Sequence, residues 1–241
     1  MQMLERPSWK NYSCLLHMKW SLLGAAVACF GGLQCPANAT AEHYYKPGEY
    51  DLIKHGLAPN NQYSIVAHGG QDANPEDLHL FLVDARNNKR IGPLEEVHAG
   101  LDTAPDAFLA QWSTDSRYVA ISYRTDRHIN ALLVYRIEQR RAFLVTGPAP
   151  ISTVAPSFKP DDSEITSHYI AFEWVTPTRF KLREIAYARH VSSEVTKAVG
   201  RFGKLVASDP DILEFSIEAV CDLTGQDKYL IVTVRPGSFD D

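Results

Sequence analysis

Cysteine is scarce in this chain, and its placement excludes an internal disulfide framework over most of the length. Of the four cysteines in 241 residues, Cys14, Cys29 and Cys35 lie within the first 35 positions. Only Cys221 lies beyond them, and a single thiol cannot form an internal disulfide. Cys221 stands in the apolar segment 219–223, which predicts a small, buried, unreactive side chain.

An excess of basic charge is also lacking, although the composition is that of an ordinary globular protein, 45% hydrophobic and 22% charged. Three of the 24 basic residues and one of the 29 acidic residues lie in residues 1–41, so residues 42–241 carry a formal charge of −7. Sequence-independent binding to nucleic acid depends on a basic surface, as does docking on anionic lipid. We therefore predict no nucleic-acid partner.

No run of apolar residues is long enough to span a bilayer comfortably. The apolar run 20–33 follows Lys19, carries no charge and is rich in Gly and Ala, which is typical of the hydrophobic region of a secretory signal. Two overlapping small-x-small cleavage sites follow, one ending at Ala39 and one at Ala41. The pattern predicts a cleavable signal peptide.

This signal defines the predicted domains. Residues 1–41 are the predicted signal peptide, and residues 42–241 are a single β-rich domain without a stable membrane span after cleavage. Because Met18 and the lysine after it would make a compact start, we hypothesise that translation can begin at Met18. The predicted location is periplasmic or extracellular.

Short runs of β-branched and aromatic residues, each bounded by turn residues, recur along the chain and predict an all-β fold. Helical periodicity is weak, and the best helix candidate is residues 192–199. The predicted strand runs are residues 64–67, 78–83, 118–123, 131–135, 169–174, 179–185 and 229–234.

An internal repeat accompanies these strands. Each copy has an apolar strand end, a polar turn of Ser, Pro, Asn or Asp, an aromatic residue and a second strand. Each of the first two copies is followed by a second pair of strands around a polar turn, residues 80–91 after the first copy and residues 132–143 after the second, and these two segments match each other. Two strands in the copy and two after it predict a four-stranded antiparallel meander. The four copies are residues 57–66, 112–121, 158–164 and 225–231.

The second copy contains Trp112-Ser113-Thr114-Asp115-Ser116-Arg117-Tyr118-Val119-Ala120, which resembles the strand–turn–strand motif of TolB-like β-propeller repeats. Similar motifs occur in the propeller domains of prolyl-oligopeptidase-type proteins, and the resemblance is best over residues 105–147. It implies a propeller-like domain of four-stranded blades, closed or incomplete. The uneven spacing of the copies leaves a β-sandwich as the alternative.

No complete catalytic motif is present: a Gly-x-Ser-x-Gly elbow and a His-Glu-x-x-His helix are both missing. The most polar loop offers oxygen and imidazole groups of the kinds that bind calcium or zinc. Its spacing matches neither an EF-hand nor a zinc signature, so we predict no metal and no cofactor. Its candidate ligand-binding residues are His68, Asp72, Asn74, Glu76, Asp77 and His79.

Together these features predict an exported, non-enzymatic binding or scaffold protein. Loops at one rim of its β domain would contact a protein or a small-molecule ligand, because loops on a rigid scaffold commonly carry binding residues. The alternative is an exported hydrolase whose catalytic residues are dispersed over distant loops.

Overall fold

The structure is a computed structural model that describes residues 41–69, 77–98, 101–158, 164–207, 209–225 and 227–239. The signal peptide, apart from Ala41, lies outside the described residues, and so do Met18 and three of the polar-loop residues, Asp72, Asn74 and Glu76. Over the described ranges, no helix combines the length and the apolar character that crossing a membrane requires.

The all-β prediction is confirmed, and every predicted run overlaps one strand. The predicted helix is also found: α2 follows Ser192, whose Oγ accepts a hydrogen bond from the Val195 amide and so caps the helix. The elements are β1 (Asp51–Leu57), β2 (Tyr63–His68), β3 (His79–Asp84), β4 (Lys89–Pro93), a 3₁₀ turn (Pro105–Ala107), β5 (Leu109–Trp112), β6 (Tyr118–Asp126), β7 (Ile129–Glu138), β8 (Arg141–Val145), α1 (Pro150–Val154), β9 (Glu164–Thr176), β10 (Arg179–Arg189), α2 (Ser193–Ala198), β11 (Gly203–Val206), β12 (Asp209–Leu223) and β13 (Tyr229–Pro236).

The described strands form one mixed sheet in the order β11-β12-β10-β9-β7-β6-β5-β1-β2-β3-β4, with β13 also pairing with β12 and β8 with β7. Within the described residues the two ends of this order do not pair, so the sheet is open. Almost all of the pairing is antiparallel and joins strands that are close in sequence, which is the pattern expected of a chain built from hairpins.

The sheet divides into three antiparallel groups, and the predicted four-stranded meanders are present in two of them. The first group is β1 to β4 and the second is β5 to β8, each paired in chain order. In the third group β9, β10 and β12 pair in turn, while β11 and β13 share the outer edge of β12.

Single parallel pairs join one group to the next. Lys54 of β1 pairs with Leu109 of β5, and Ile129 of β7 pairs with His168 of β9. A backbone hydrogen bond accompanies each joint. The Lys54 amide donates to the Phe108 carbonyl oxygen at 3.1 Å, and the His168 amide donates to the His128 carbonyl oxygen at 2.8 Å. The first joint thus links the first strands of two groups, whereas the second links β7 to the first strand of the third group, and each consists of a single backbone pair.

Side chains reinforce the contact between β5 and β9. The Gln111 side-chain amide donates to the Phe172 carbonyl oxygen at 3.0 Å, and the Trp174 indole N–H donates to the Gln111 carbonyl oxygen at 2.9 Å. These reciprocal bonds satisfy half-buried polar groups on both strands. The first strands of all three groups, β1, β5 and β9, consequently lie next to one another.

The first two repeat copies have the same turn. The Ala58 amide donates to the Tyr63 carbonyl oxygen, and the Ser113 amide donates to the Tyr118 carbonyl oxygen, both at 2.9 Å. The fourth residue of each turn has a positive φ, 55° at Asn61 and 59° at Ser116. Asn tolerates this left-handed conformation better than most residues, which explains how the first of the two turns forms without glycine.

The other two copies do not occupy equivalent places. A strand end was expected at Phe158, but α1 and a turn precede that residue, because Pro150 fits the first turn of a helix. The fourth copy does form a hairpin turn, with Gly225 at φ 78°. That hairpin joins β12 to β13 at the end of the third group rather than at its start.

The hydrophobic core crosses the joints between groups. One cluster of buried residues packs the first group on the second, and another packs Tyr118, Ala120 and Val134 of the second group on Phe172 and Phe180 of the third. Cys221 belongs to the latter cluster and is buried and free, as predicted. Burial raises the pKa of its thiol to about 12, so the thiol stays protonated and unreactive at neutral pH.

A buried carboxylate adds an ionic link between the first two groups. Asp84, at the end of β3, is 1% exposed and accepts hydrogen bonds from Arg86 in its own hairpin, at 3.1 Å. Arg140, in the turn between β7 and β8, donates to the same carboxylate at 2.7 Å. The bonds from Arg86, together with those from Arg140, hold the pKa of Asp84 well below its usual range.

Candidate functional site

The described part of the predicted polar loop brings two of its histidines together. His68 ends β2 and His79 begins β3, and the two are directly opposite each other in the antiparallel pair. Side chains at such positions share one face of the sheet. His79 and Asp77 are exposed, whereas His68 is half-buried.

His68 is held in a fixed orientation. Its Nδ1 lies 2.5 Å from the carbonyl oxygen of Glu49, and its ring stacks on Tyr50 with 4.4 Å between centroids. A carbonyl oxygen can only accept, so Nδ1 is the donor in this contact. His68 is therefore a positioned imidazole, and the residues that position it lie in the segment before β1.

That segment, residues 41–50, is tied to the chain that precedes the 3₁₀ turn. The His43 amide donates to Thr103 Oγ1 at 2.8 Å, and the buried Tyr45 hydroxyl donates to the Thr103 carbonyl oxygen at 2.9 Å. Burial raises the pKa of Tyr45, and the carboxylates of Asp51 and Glu49 raise it further. The surroundings of Tyr45 are thus locally negative.

Ala41 is the first anchored residue of this segment. Its amide donates to Asp102 Oδ1 at 2.8 Å, and its carbonyl oxygen accepts from the amides of Thr103 and Ala104. Asp102 is 2% exposed and also forms a bidentate pair with Arg124, at 2.7 and 2.8 Å. Ala41 is consequently part of a buried hydrogen-bond network and not of a loose terminus.

A histidine–carboxylate cluster lies at the other end of this segment. One ligand-type atom from each of His43, Glu49 and Asp51 lies within 4.8 Å of the others, and His43 Nε2 is 3.0 Å from Asp51 Oδ2. A turn folds Glu49 back towards His43. The Glu49 amide closes this turn by donating to the Lys46 carbonyl oxygen at 2.9 Å, and Gly48 within it has a φ of 76°. We call these three residues the His43 cluster; imidazole and carboxylate groups of this kind can hold a divalent metal.

Sequence reasoning missed the His43 cluster. Five residues separate His43 from Glu49 and one separates Glu49 from Asp51, which is no recognised metal signature. The only available signal was the turn-forming Pro47-Gly48 pair between histidine and carboxylates, which indicates a chain reversal. That signal does not say which side chains meet.

A cleft of about 330 Å³ opens where β1, β5 and β9 converge. We call it the junction cleft. Apolar surface from Ala107, Leu109 and Phe172 alternates with polar groups around it. The polar and aromatic side chains that line it are Lys54, Asp106, Gln111, Ser122, Tyr123, Arg124, Asn130 and Tyr169.

Charge in the junction cleft comes from few groups. Lys54 is exposed and is not ion-paired with any carboxylate among the described residues. Arg124 is half-buried and already engaged by Asp102, while Asp106 is exposed. Lys54 is therefore the cation in the cleft that is best placed to meet an incoming anionic group, with Gln111 and Asn130 as neutral donors and acceptors.

No protein-family model matches the chain, and no curated protein matches it. The resemblance of the second repeat copy to propeller repeats therefore stays a prediction.

Proposed function

We propose that this chain is an exported binding protein whose ligand occupies the junction cleft of a propeller-like domain. The observation that carries the proposal is the convergence of β1, β5 and β9, the first strands of two four-stranded groups and one five-stranded group, around one concave cleft. In propellers, blades of four antiparallel strands surround a central channel, and ligands commonly bind where such units meet.

The cleft favours a small, polar, anionic ligand. Its volume of about 330 Å³ lies at the lower end of the range typical of small-molecule sites. Lys54 supplies a positive charge without an ion-pair partner in the described residues, Gln111 and Asn130 supply amides, and the exposed ring of Tyr169 supplies a flat apolar surface. A carboxylate or phosphate monoester with a small planar body matches these groups.

Lys54→Ala tests this proposal. Binding of a panel of mono- and dicarboxylates and phosphate monoesters would be measured by ligand-observed NMR and confirmed by titration. We expect at least one compound to bind the wild-type protein and to bind Lys54→Ala at least tenfold more weakly, because one charge-assisted hydrogen bond contributes about 1.5–3 kcal/mol.

Lys228→Ala is the matched control, because Lys228 is an exposed lysine in the turn before β13 and does not line the cleft. It should bind the same compound as the wild type does. Binding that Lys54→Ala leaves unchanged, or no binding by any compound of the panel, would contradict the proposal. Turnover of p-nitrophenyl acetate that His68→Ala abolishes would favour the hydrolase alternative.

The contacts of Ala41 bear on how the exported form is made. Cleavage after Ala41 would remove the acceptor for two buried amides and one of the partners of Asp102. Cleavage after Ala39 would leave this network intact. We therefore expect signal peptidase to release a mature chain that begins at Thr40.

N-terminal sequencing and intact-mass measurement of the exported protein would check this expectation. Ala37→Leu, which blocks the first cleavage site alone, should shift processing to Ala41 and lower Tm, since buried amides without a partner are destabilising. A wild-type chain that begins at Glu42 would contradict the choice of site, and an unprocessed chain in the envelope would contradict cleavage altogether.

A further inference from the structure

We infer that the His43 cluster is a binding site for one divalent transition-metal ion, with Zn²⁺ as the best match. The site lies in the segment before β1 and at the start of β1. Its residues do not line the junction cleft, so the inference does not rest on the proposed function.

The spacing of the ligand atoms supports a shared ion. His43 Nε2 and Asp51 Oδ2 are 3.0 Å apart, and a carboxylate oxygen of Glu49 lies within 4.8 Å of both. Two ligand atoms that each bind zinc at about 2.1 Å, with an angle of roughly 90–110° between them, lie about 3.0–3.4 Å apart. The distance between His43 Nε2 and Asp51 Oδ2 therefore allows both atoms to bind one metal ion. A small movement of the Glu49 side chain would bring its carboxylate to the same ion.

His43 Nε2 also lacks a hydrogen bond. The atom is buried from solvent, and despite its short distance from Asp51 it makes no hydrogen bond of acceptable geometry. Buried polar atoms normally have a partner, and one without it calls for an explanation such as an ion. A metal ion that accepts the Nε2 lone pair would supply this missing partner.

The charge of the cluster points the same way. Within the described residues no lysine or arginine is ion-paired with Glu49 or Asp51, and the backbone amide of Lys46 is the donor to Glu49, at 2.6 Å. Two carboxylates held this close repel each other unless a cation or a proton compensates them. A divalent ion would neutralise both charges.

The donor set decides between classes of metal. One imidazole nitrogen with two carboxylate oxygens suits zinc, which accepts nitrogen and oxygen ligands in a four-coordinate site. Calcium and magnesium prefer all-oxygen ligands, in sixfold or higher coordination. Three protein ligands leave one zinc position for water, so the bound ion would hold residues 41–50 against the start of β1 and keep an open coordination site.

Zinc titration of the protein, purified in the form the cell produces and stripped with EDTA, tests the site. Calorimetry should show one Zn²⁺ bound per chain, with affinity at least tenfold weaker in each of His43→Gln and Asp51→Asn. Zinc should raise the Tm of the wild type and raise it less in both variants, because an ion that binds only the folded state stabilises it.

His79→Gln and Asp77→Asn are matched controls, since they make the same changes at exposed residues of the polar loop. Circular dichroism of the metal-free variants would establish whether each is folded. If His43→Gln does not fold, the near-isosteric Asp51→Asn still tests the site. The inference is overturned if the wild type binds no zinc, if calcium binds in preference to zinc, if neither cluster variant weakens binding, or if only His79→Gln does.

Discussion

Phe180→Ala is expected to lower the free energy of unfolding by about 3–5 kcal/mol, the usual range for removing a buried phenylalanine side chain. Phe180 of β10 is fully buried, stacks on Phe172 with 5.0 Å between centroids, and meets Trp174 and Tyr229 edge-on at 5.7 and 5.2 Å. Because β10 is paired on both sides, by β9 and β12, its backbone cannot move in to fill the cavity.

Urea unfolding followed by tryptophan fluorescence and circular dichroism would measure this loss. For a domain of this size the corresponding fall in Tm is roughly 10 °C. Phe239→Ala removes the same side chain from a position that is 38% exposed, and it should change stability by less than about 1 kcal/mol. Equal losses in the two variants would show that the aromatic cluster around Phe180 is not a packed core.

Glu184→Ala is expected to cost about 3 kcal/mol of stability. Glu184 is 3% exposed; its Oε2 accepts from the Ile151 amide at 2.8 Å, and its Oε1 lies 3.0 Å from His168 Nε2. Alanine would leave a buried amide at the start of α1 and a half-buried imidazole without their partner, which is more unfavourable than the loss of an exposed pair.

Two comparison variants isolate that effect in the same unfolding experiment. Glu184→Gln keeps an oxygen that can accept from Ile151 and an N–H that can donate to His168, so it should lose only about 1 kcal/mol. Glu173→Ala breaks an exposed pair with Lys181 and should change stability by about 0–1 kcal/mol. A loss in Glu184→Ala no larger than that in Glu173→Ala would rule out the buried link.

The turns and strands were predictable where their determinants are local. Residues 57–66 and 112–121 could be matched because Asn60 and Asp115 each bond the amide two residues on, at 2.9 and 3.1 Å. The strand β12 was overlooked although it had a signal: apolar residues alternate with polar ones from Leu213 to Ala219. That period of two is a strand pattern in its own right.

The candidate sites depended on contacts that no local pattern specifies. His68 and His79, two of the candidate ligand-binding residues, are neighbours because they flank one hairpin. The His43 cluster needs a chain reversal before β1, and the junction cleft needs Lys54 to meet strands more than fifty residues away in sequence. Long-range packing decides such meetings, and no periodicity in a single sequence records them.

The joints between the groups have a consequence for cooperativity. Dense ladders of hydrogen bonds run inside each group, whereas the parallel backbone pairs between groups in the described residues are single ones: Lys54–Leu109, Ile129–His168 and Thr146–Lys228. Structural units with many internal contacts and few external ones tend to open separately, as foldons. The amides of Lys54 and His168 should then exchange with solvent deuterium through partial openings that leave the ladders of β6–β7 and β10–β12 closed.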